Sequence, residues 1–298
     1  MLPEFLEPAY MQRAVLAAVL VGLCAPSVGI YLVQRRLALM GDGIGHVALT
    51  GVAVGLLTGT SPVYTAVAVA VVGAVAIEVL RERGRTSGDV ALAMLFYGGI
   101  AAGVVLVGKS DSATTTSLTG FLFGQLTTVQ PGELAVIAVL AILVLLVTVG
   151  LQRRLFAVCH DEEYARVSGL PVRRLNLLLA VVAAVTVTVA LRVVGVLLIS
   201  ALMVVPVAAV QQLTRGFRAT FAGSVALGVA CACGGVATSY YADTAPGATI
   251  VLLAIVAFGV GALLSAVRRS VRPAAASASG PAPIHADDLA LPHGEGAA

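Results

Sequence analysis

The sequence predicts an all-α bundle that crosses a membrane about nine times, and three observations predict it. Of 298 residues, 59% are hydrophobic and 11% are charged, and the mean hydropathy is +1.01, which is too apolar for a water-soluble domain. The apolar runs are rich in Leu, Val and Ala and long enough to cross about 30 Å of hydrocarbon as helices, and strand-period alternation between turn residues is absent. The arginines cluster in alternate connectors, the pattern of a multi-pass chain obeying the positive-inside rule.

Spans are expected near 11–33, 44–59, 62–80, 90–107, 132–150, 175–191, 194–213, 219–239 and 248–267. The connectors holding "QRR" at 34–36, "RERGR" at 81–85, "QRR" at 152–154 through "PVRR" at 171–174, "TRGFR" at 214–218 and "RRSVR" at 268–272 read as cytoplasmic. The connectors at 59–62, 108–117 and 240–247 hold a single Lys between them and read as external, which places the N-terminus out and the C-terminus in. An eight-span alternative is centred on 175–213, where only "LRVVG" separates two spans and puts Arg192 at the external face. The segment 118–130, too short to span, reads as an interfacial helix or a re-entrant piece. Residues 1–269 form the membrane domain, and 270–298, rich in Ala, Pro and Gly, read as a disordered cytoplasmic tail in which His285, Asp287, Asp288 and His293 are a solvated face or a loose metal-holding group.

Several classes fall away early. Glu4 and Glu7 occupy the place where a secretory signal carries Lys or Arg, so the first helix is expected to stay. The net charge of +3 comes from short arginine runs that set membrane orientation, and no basic stripe suits nucleic acid. The four cysteines, Cys24, Cys159, Cys231 and Cys233, lack zinc-ribbon or thioredoxin spacing and read as small packing residues.

Within this apolar chain, "GDGIGH" at 41–46 places Asp42 and His46 four residues apart, on one face of a helix. Ionisable groups inside spans are costly and mark ion pathways, and a carboxylate with an imidazole suits a divalent first-row metal. Gly51 and Gly55 leave that helix with little side chain, so it either packs closely against a neighbour or lines a passage. The plainer reading has Asp42 as a helix N-cap near Arg35 and Arg36, with His46 as packing. Farther along, "HDEEYARVSGLPVRRLN" at 160–176 predicts a short amphipathic helix over Asp161, Glu162, Glu163, Tyr164, Ala165, Arg166 and Val167, stopped by Gly169 and Pro171. A bare turn would reverse the chain, so a folded, charged helix here is built to be gripped by another protein.

These pieces, with "LRVVGVLLISALMVVPVAAVQQL" at 191–213 and "APGATIVLLAIVAFGV" at 245–260, resemble in order the permeases of metal-importing ABC transporters, the ZnuB-like zinc and manganese family. The resemblance covers roughly residues 10–268. It implies a homodimer of permeases in the cytoplasmic membrane, a cytosolic ATP-binding subunit that hydrolyses ATP, and an extracytoplasmic metal-binding protein that delivers the ion. It also implies that Asp42 and His46 are the intramembrane metal ligands, four when two copies face each other, and that about 161–169 is the coupling helix seated in the ATPase. No catalytic residue and no permanently bound cofactor is expected. No connector is long enough to fold into a nucleotide-binding domain. Gly45 and Thr50 stand where manganese and iron relatives more often carry serine and proline, so the resemblance favours zinc as cargo, with manganese or iron the alternative. Pro206 either bends a helix beside the ion path or is simply a tolerated membrane proline.

A secondary metal transporter would need further carboxylates in the spans, but from 175 to 267 the only acid is Asp243, in a connector. An intramembrane aspartyl protease needs a second membrane aspartate, and Asp89, Asp111 and Asp243 all fall at connectors.

Overall fold

In hydrocarbon no water is available to pair the backbone, so a single chain segment crosses it as a helix that satisfies its own N–H and C=O groups. The computed structural model describes residues 7–82, 88–108, 120–124 and 129–271, and among these every regular element is helical. The helices are α1 (Ala9–Gln34), α2 (Met40–Thr58), α3 (Pro62–Glu82), α4 (Gly88–Val107), α5 (Pro131–Gly150), α6 (Gln152–His160), α7 (Glu162–Val167), α8 (Val172–Val193), α9 (Ile199–Gln211), α10 (Phe217–Ala242) and α11 (Pro246–Val271). A helical turn at 120–123 and a 3-10 turn at Val196–Leu198 complete them. The expected tail with His285, Asp287, Asp288 and His293, and residues 118, 119 and 125–128 of the 118–130 segment, lie outside the described residues.

A helix stands at each of the nine expected positions, and the sequence-level boundaries run a few residues short at most ends. Among the described residues, seven helices are long and apolar enough to cross a membrane, while Val90–Leu106 and Ile199–Gln211 are shorter apolar helices. The region 175–213, where the sequence leaves an eight-span count open, consists of a full-length α8 and a broken, short α9. A helix of 13 residues is about 20 Å long, less than the hydrocarbon thickness. The irregular backbone before it is tolerated because Val193, Val194, Val196 and Ile199 are all buried in protein.

α1 and α8 are the buried centre of the bundle. α1 packs on α5, α8, α9 and α10, while α2 is enclosed by α3, α4, α8 and α9. α5 and α11 instead present Ile142, Leu146, Ile255 and Leu263 outward, as helices facing lipid do. The helices alternate between two ends. Arg35, Arg81, Glu82, Glu162 and Arg173 meet in ion pairs at one of them, the basic end. At the other, Arg192 pairs with Glu133 at 2.6 Å and stacks over Phe121, its guanidinium carbon 4.7 Å from the ring centroid. Gly124 and Gly195, both at positive φ, bring the 120–124 turn backbone-to-backbone against the α8–α9 break. Any Cβ there would strike a carbonyl, so this close approach requires glycine.

One expectation about local structure changes. The connector after the fifth span is not loop throughout: "QRRLFAVCH" forms α6, with Leu155 and Val158 buried. The cysteines behave as packing residues in a core do: Cys24 and Cys231 are buried, all four are free thiols, and Cys24 Sγ donates to the Ala141 carbonyl.

Candidate functional site

α2 opens at Met40, with Leu39 as its N-cap and no side chain capping it, so Asp42 lies inside the first turn. Its carboxylate does not act as the cap. Oδ1 accepts a hydrogen bond from Ser200 Oγ at 2.5 Å, across from α9. Nor does Asp42 take Arg35, whose guanidinium reaches Glu162 instead. The close approach of α9 depends on Gly41, where a Cβ would stand 3.1 Å from Ser200 Oγ and 3.4 Å from Met203 Sδ. Asp42 is half-buried and lines a cavity of about 340 Å³ between α2 and α4, together with Leu39, Leu92, Ala93, Phe96 and Tyr97.

One turn on, His46 is also half-buried, and its ring meets Phe96 edge-on, with centroids 4.6 Å apart and planes at 78°. α4 comes this close because Gly99 packs on the α2 backbone, where a Cβ would be 2.9 Å from Val47 N. Thr50 fixes the contact by donating to the Gly99 carbonyl at 2.8 Å. The two residues read from the sequence therefore sit one turn apart on α2, Asp42 lining the cavity and held by Ser200, His46 packed on Phe96, neighbours that four-residue spacing could not announce. Among the described residues, no three His, Cys, Asp or Glu side chains come together as a metal-holding group. One chain thus presents a carboxylate and an imidazole, which is an incomplete coordination sphere for a first-row metal.

Gly51 and Gly55 serve packing and do not line a passage. A Cβ on Gly51 would be 2.7 Å from Ala66 Cα, and one on Gly55 would be 2.8 Å from Pro62 Cα, so the two glycines seat α3 against α2.

The second feature lies at the basic end. Asp161 caps α7 by accepting from Tyr164 N at 2.9 Å, and Glu162 and Glu163 fill its first turn, where acids complement the helix dipole. Gly169, at φ +78°, ends it, with Leu170 N bonding back to the Ala165 carbonyl in a Schellman closure. Ala165 is fully buried beneath the helix, while Tyr164 and Val167 are 69% and 88% exposed. Glu162 holds Arg35 and Arg166, each at 3.3 Å. Arg35 is almost wholly buried, its side chain 7% exposed; burial and the nearby Arg81 push its proton affinity down, while Cys159, Glu78 and Glu162 push it up. Burial also raises the Cys159 thiol on α6 to about 11, so it is neutral at physiological pH.

Comparison with known proteins places the chain in one family. The model of the ABC 3 transport family matches residues 7–265. The manganese transport system membrane protein MntC of Halalkalibacterium halodurans is 32% identical over 262 residues, covering 88% of this chain and 89% of that protein. The chelated iron transport system membrane protein YfeD of Yersinia pestis is 30% identical over 259 residues, covering 87% and 86%. Among solved structures, PsaBC from Streptococcus pneumoniae in complex with Fab superposes with a TM-score of 0.77 at 27% identity, covering 86% of this chain and 91% of that one. A bundle of this topology and a family match over nearly its whole length lead to one conclusion: the chain belongs to the ABC 3 transport family, the metal-type ABC permeases that its motifs resemble.

Proposed function

We propose that this protein is the membrane permease of an ATP-driven importer of a divalent first-row transition metal, acting as a homodimer in the cytoplasmic membrane. The observation that carries this reading is Asp42, which lines a cavity in an otherwise apolar bundle, with His46 one turn on along α2. The ion enters from an extracytoplasmic binding protein at the end that holds Arg192 and Glu133 and leaves at the basic end, which the positive-inside rule makes cytoplasmic. Asp42 and His46 ligate it in passage, with Ser200 orienting the carboxylate, and the same residues of a second copy complete the sphere. α7 seats in a cytosolic ATPase, its exposed Tyr164 and Val167 meeting that partner and Ala165 anchoring it to the permease. The family match supports the permease reading, and the "GVVLVGKS" string at 103–110 is a phosphate loop in letters only, because Gly103–Val107 form the end of α4 and no strand precedes them.

Zinc is the cargo that Gly45 and Thr50 favour by resemblance, and imidazole ligation suits it. Manganese or iron is the second reading. It is supported by the names of the relatives and by a chemical point: Asp42 with the Ser200 hydroxyl is an oxygen-rich environment, which suits manganese. Thr50 also has a packing role against Gly99, which weakens it as a mark of metal choice.

The test is uptake of radioactive zinc and manganese by cells expressing the permease with its ATPase and binding protein, comparing wild type with Asp42→Ala and His46→Ala at equal membrane abundance. Loss of uptake in both variants is expected, and whichever ion competes out the other names the cargo. Normal transport by both variants would remove the pair from the ion path.

A further inference from the structure

We propose that Arg35 and Glu162 form the joint through which movement of α7 reaches the α1–α2 turn and, through it, Asp42; this rests on the reading that α7 is the segment gripped by the ATPase. Among the described residues, this is the ion pair that ties α7 to a spanning helix, since the other pair on α7, Arg166 with Glu162, is internal to it. The two ends of the joint differ in a useful way. Arg35 is buried to 7% exposure and Glu162 is 41% exposed, so the guanidinium is fixed in the bundle and the carboxylate rides on a small surface helix. An exposed pair between two mobile chains transmits little, but a buried arginine has few other places to put its charge.

Arg35 is also bound tightly to the α1–α2 turn. Its N–H still bonds to the Tyr31 carbonyl at the end of α1, and Leu37 N reaches back to the Leu32 carbonyl at 2.8 Å. Arg36 turns the chain in the left-handed region, φ 58°, which a side-chain-bearing residue occupies only when the surroundings hold it there. Met40 N then bonds to the Leu37 carbonyl, and α2 begins, with Asp42 in its first turn. Between α1 and α2 the chain is a short turn closed by backbone hydrogen bonds from Arg35, Arg36, Leu37 and Met40, which leaves little slack to absorb a displacement. A pull on Glu162 therefore shifts the start of α2 relative to α9 and loads the bond from Ser200 to Asp42. Arg35 is a positioning residue in this scheme, acting on the ion through Asp42.

The experiment uses the full transporter, permease with ATPase and binding protein, in proteoliposomes, reading metal taken up per ATP hydrolysed. Arg35→Gln is expected to retain the ATPase and hydrolyse within about twofold of wild type, yet to lower the metal-to-ATP ratio about tenfold, and Glu162→Gln is expected to lower the ratio as far. The exchanged double variant, Arg35→Glu with Glu162→Arg, is expected to recover most of the ratio. Arg173→Gln, which breaks the 2.9 Å pair with Glu82 at the same end, is expected to leave it unchanged. An unchanged ratio in the single variants overturns the proposal. So does a proportional fall in uptake and hydrolysis without rescue by exchange, or an equal loss in Arg173→Gln, because either marks a pair that only stabilises the fold. Failure of the underlying reading shows separately, as a Val167→Asp transporter that co-purifies with its ATPase as well as wild type does.

Discussion

Asp42 gains its meaning from a residue 158 positions away, because the Ser200 hydroxyl that orients it comes from α9. A hydrogen bond to a charged group contributes about 1.5–3 kcal/mol, so Ser200→Ala is expected to raise the KM for metal uptake by about tenfold or more. The protein should fold normally, since one oxygen is removed and no cavity opens, and uptake kinetics at matched abundance check it. The spacing of Asp42 and His46 is legible in the sequence because four residues make one helical turn. Ser200 is not, because it sits in an ordinary apolar run whose register against α2 is set by packing at Gly41. Cys159 carries a second expectation at this scale. Its thiol is raised from 9.0 to about 11, so the folded state holds that proton more tightly than the unfolded chain does. Its contribution to stability is complete below the unfolded value and is lost as pH rises from about 9 through 11. Alkylation of the native protein at pH 7.5, read by mass spectrometry, should accordingly leave Cys159 unmodified, and labelling at that pH would contradict the burial.

At the scale of elements, α2 depends on how closely its neighbours approach. Gly51→Ala places a methyl 2.7 Å from the Ala66 backbone and forces α3 outward, whereas Gly98→Ala meets nothing within 4 Å. Overpacking costs about 1–3 kcal/mol, so Gly51→Ala is expected to lower the thermal midpoint of the detergent-purified permease while Gly98→Ala leaves it unchanged. Equal midpoints would mean that α2 and α3 are not in this contact. α7 is readable because its stop and start signals are local: Asp161 caps it, and Gly169 and Pro171 end it. α6 escapes a sequence reading because two arginines and nine residues look like connector, and only tertiary burial of Leu155 and Val158 makes the segment a helix. The α8–α9 break is half visible. Gly195 signals it, but its conformation is held by the 120–124 turn, a contact no local pattern contains.

The whole molecule has two chemically different ends joined by helices that alternate between them, and the arginine distribution alone makes that alternation legible. The number of metal ligands is not legible in the same way, because coordination is a property of three dimensions and of copy number. Each chain offers Asp42 and His46, and among its described residues no third His, Cys, Asp or Glu joins them. A first-row ion held by a single chain would have to take most of its sphere from water or hydroxyl groups, a weak site for a cation that must first leave a binding protein. Two chains facing each other would supply two carboxylates and two imidazoles around one ion, enough for a tetrahedral set. The expected stoichiometry of the purified transporter is therefore one ion for every two permease chains, measured by elemental analysis against native mass. Mixed dimers carrying Asp42→Ala in one copy should bind the ion more weakly than wild type by about 1 kcal/mol or more. One ion per chain, or full affinity in the mixed dimer, would place the binding sphere within a single copy and make Ser200 and solvent its remaining ligands.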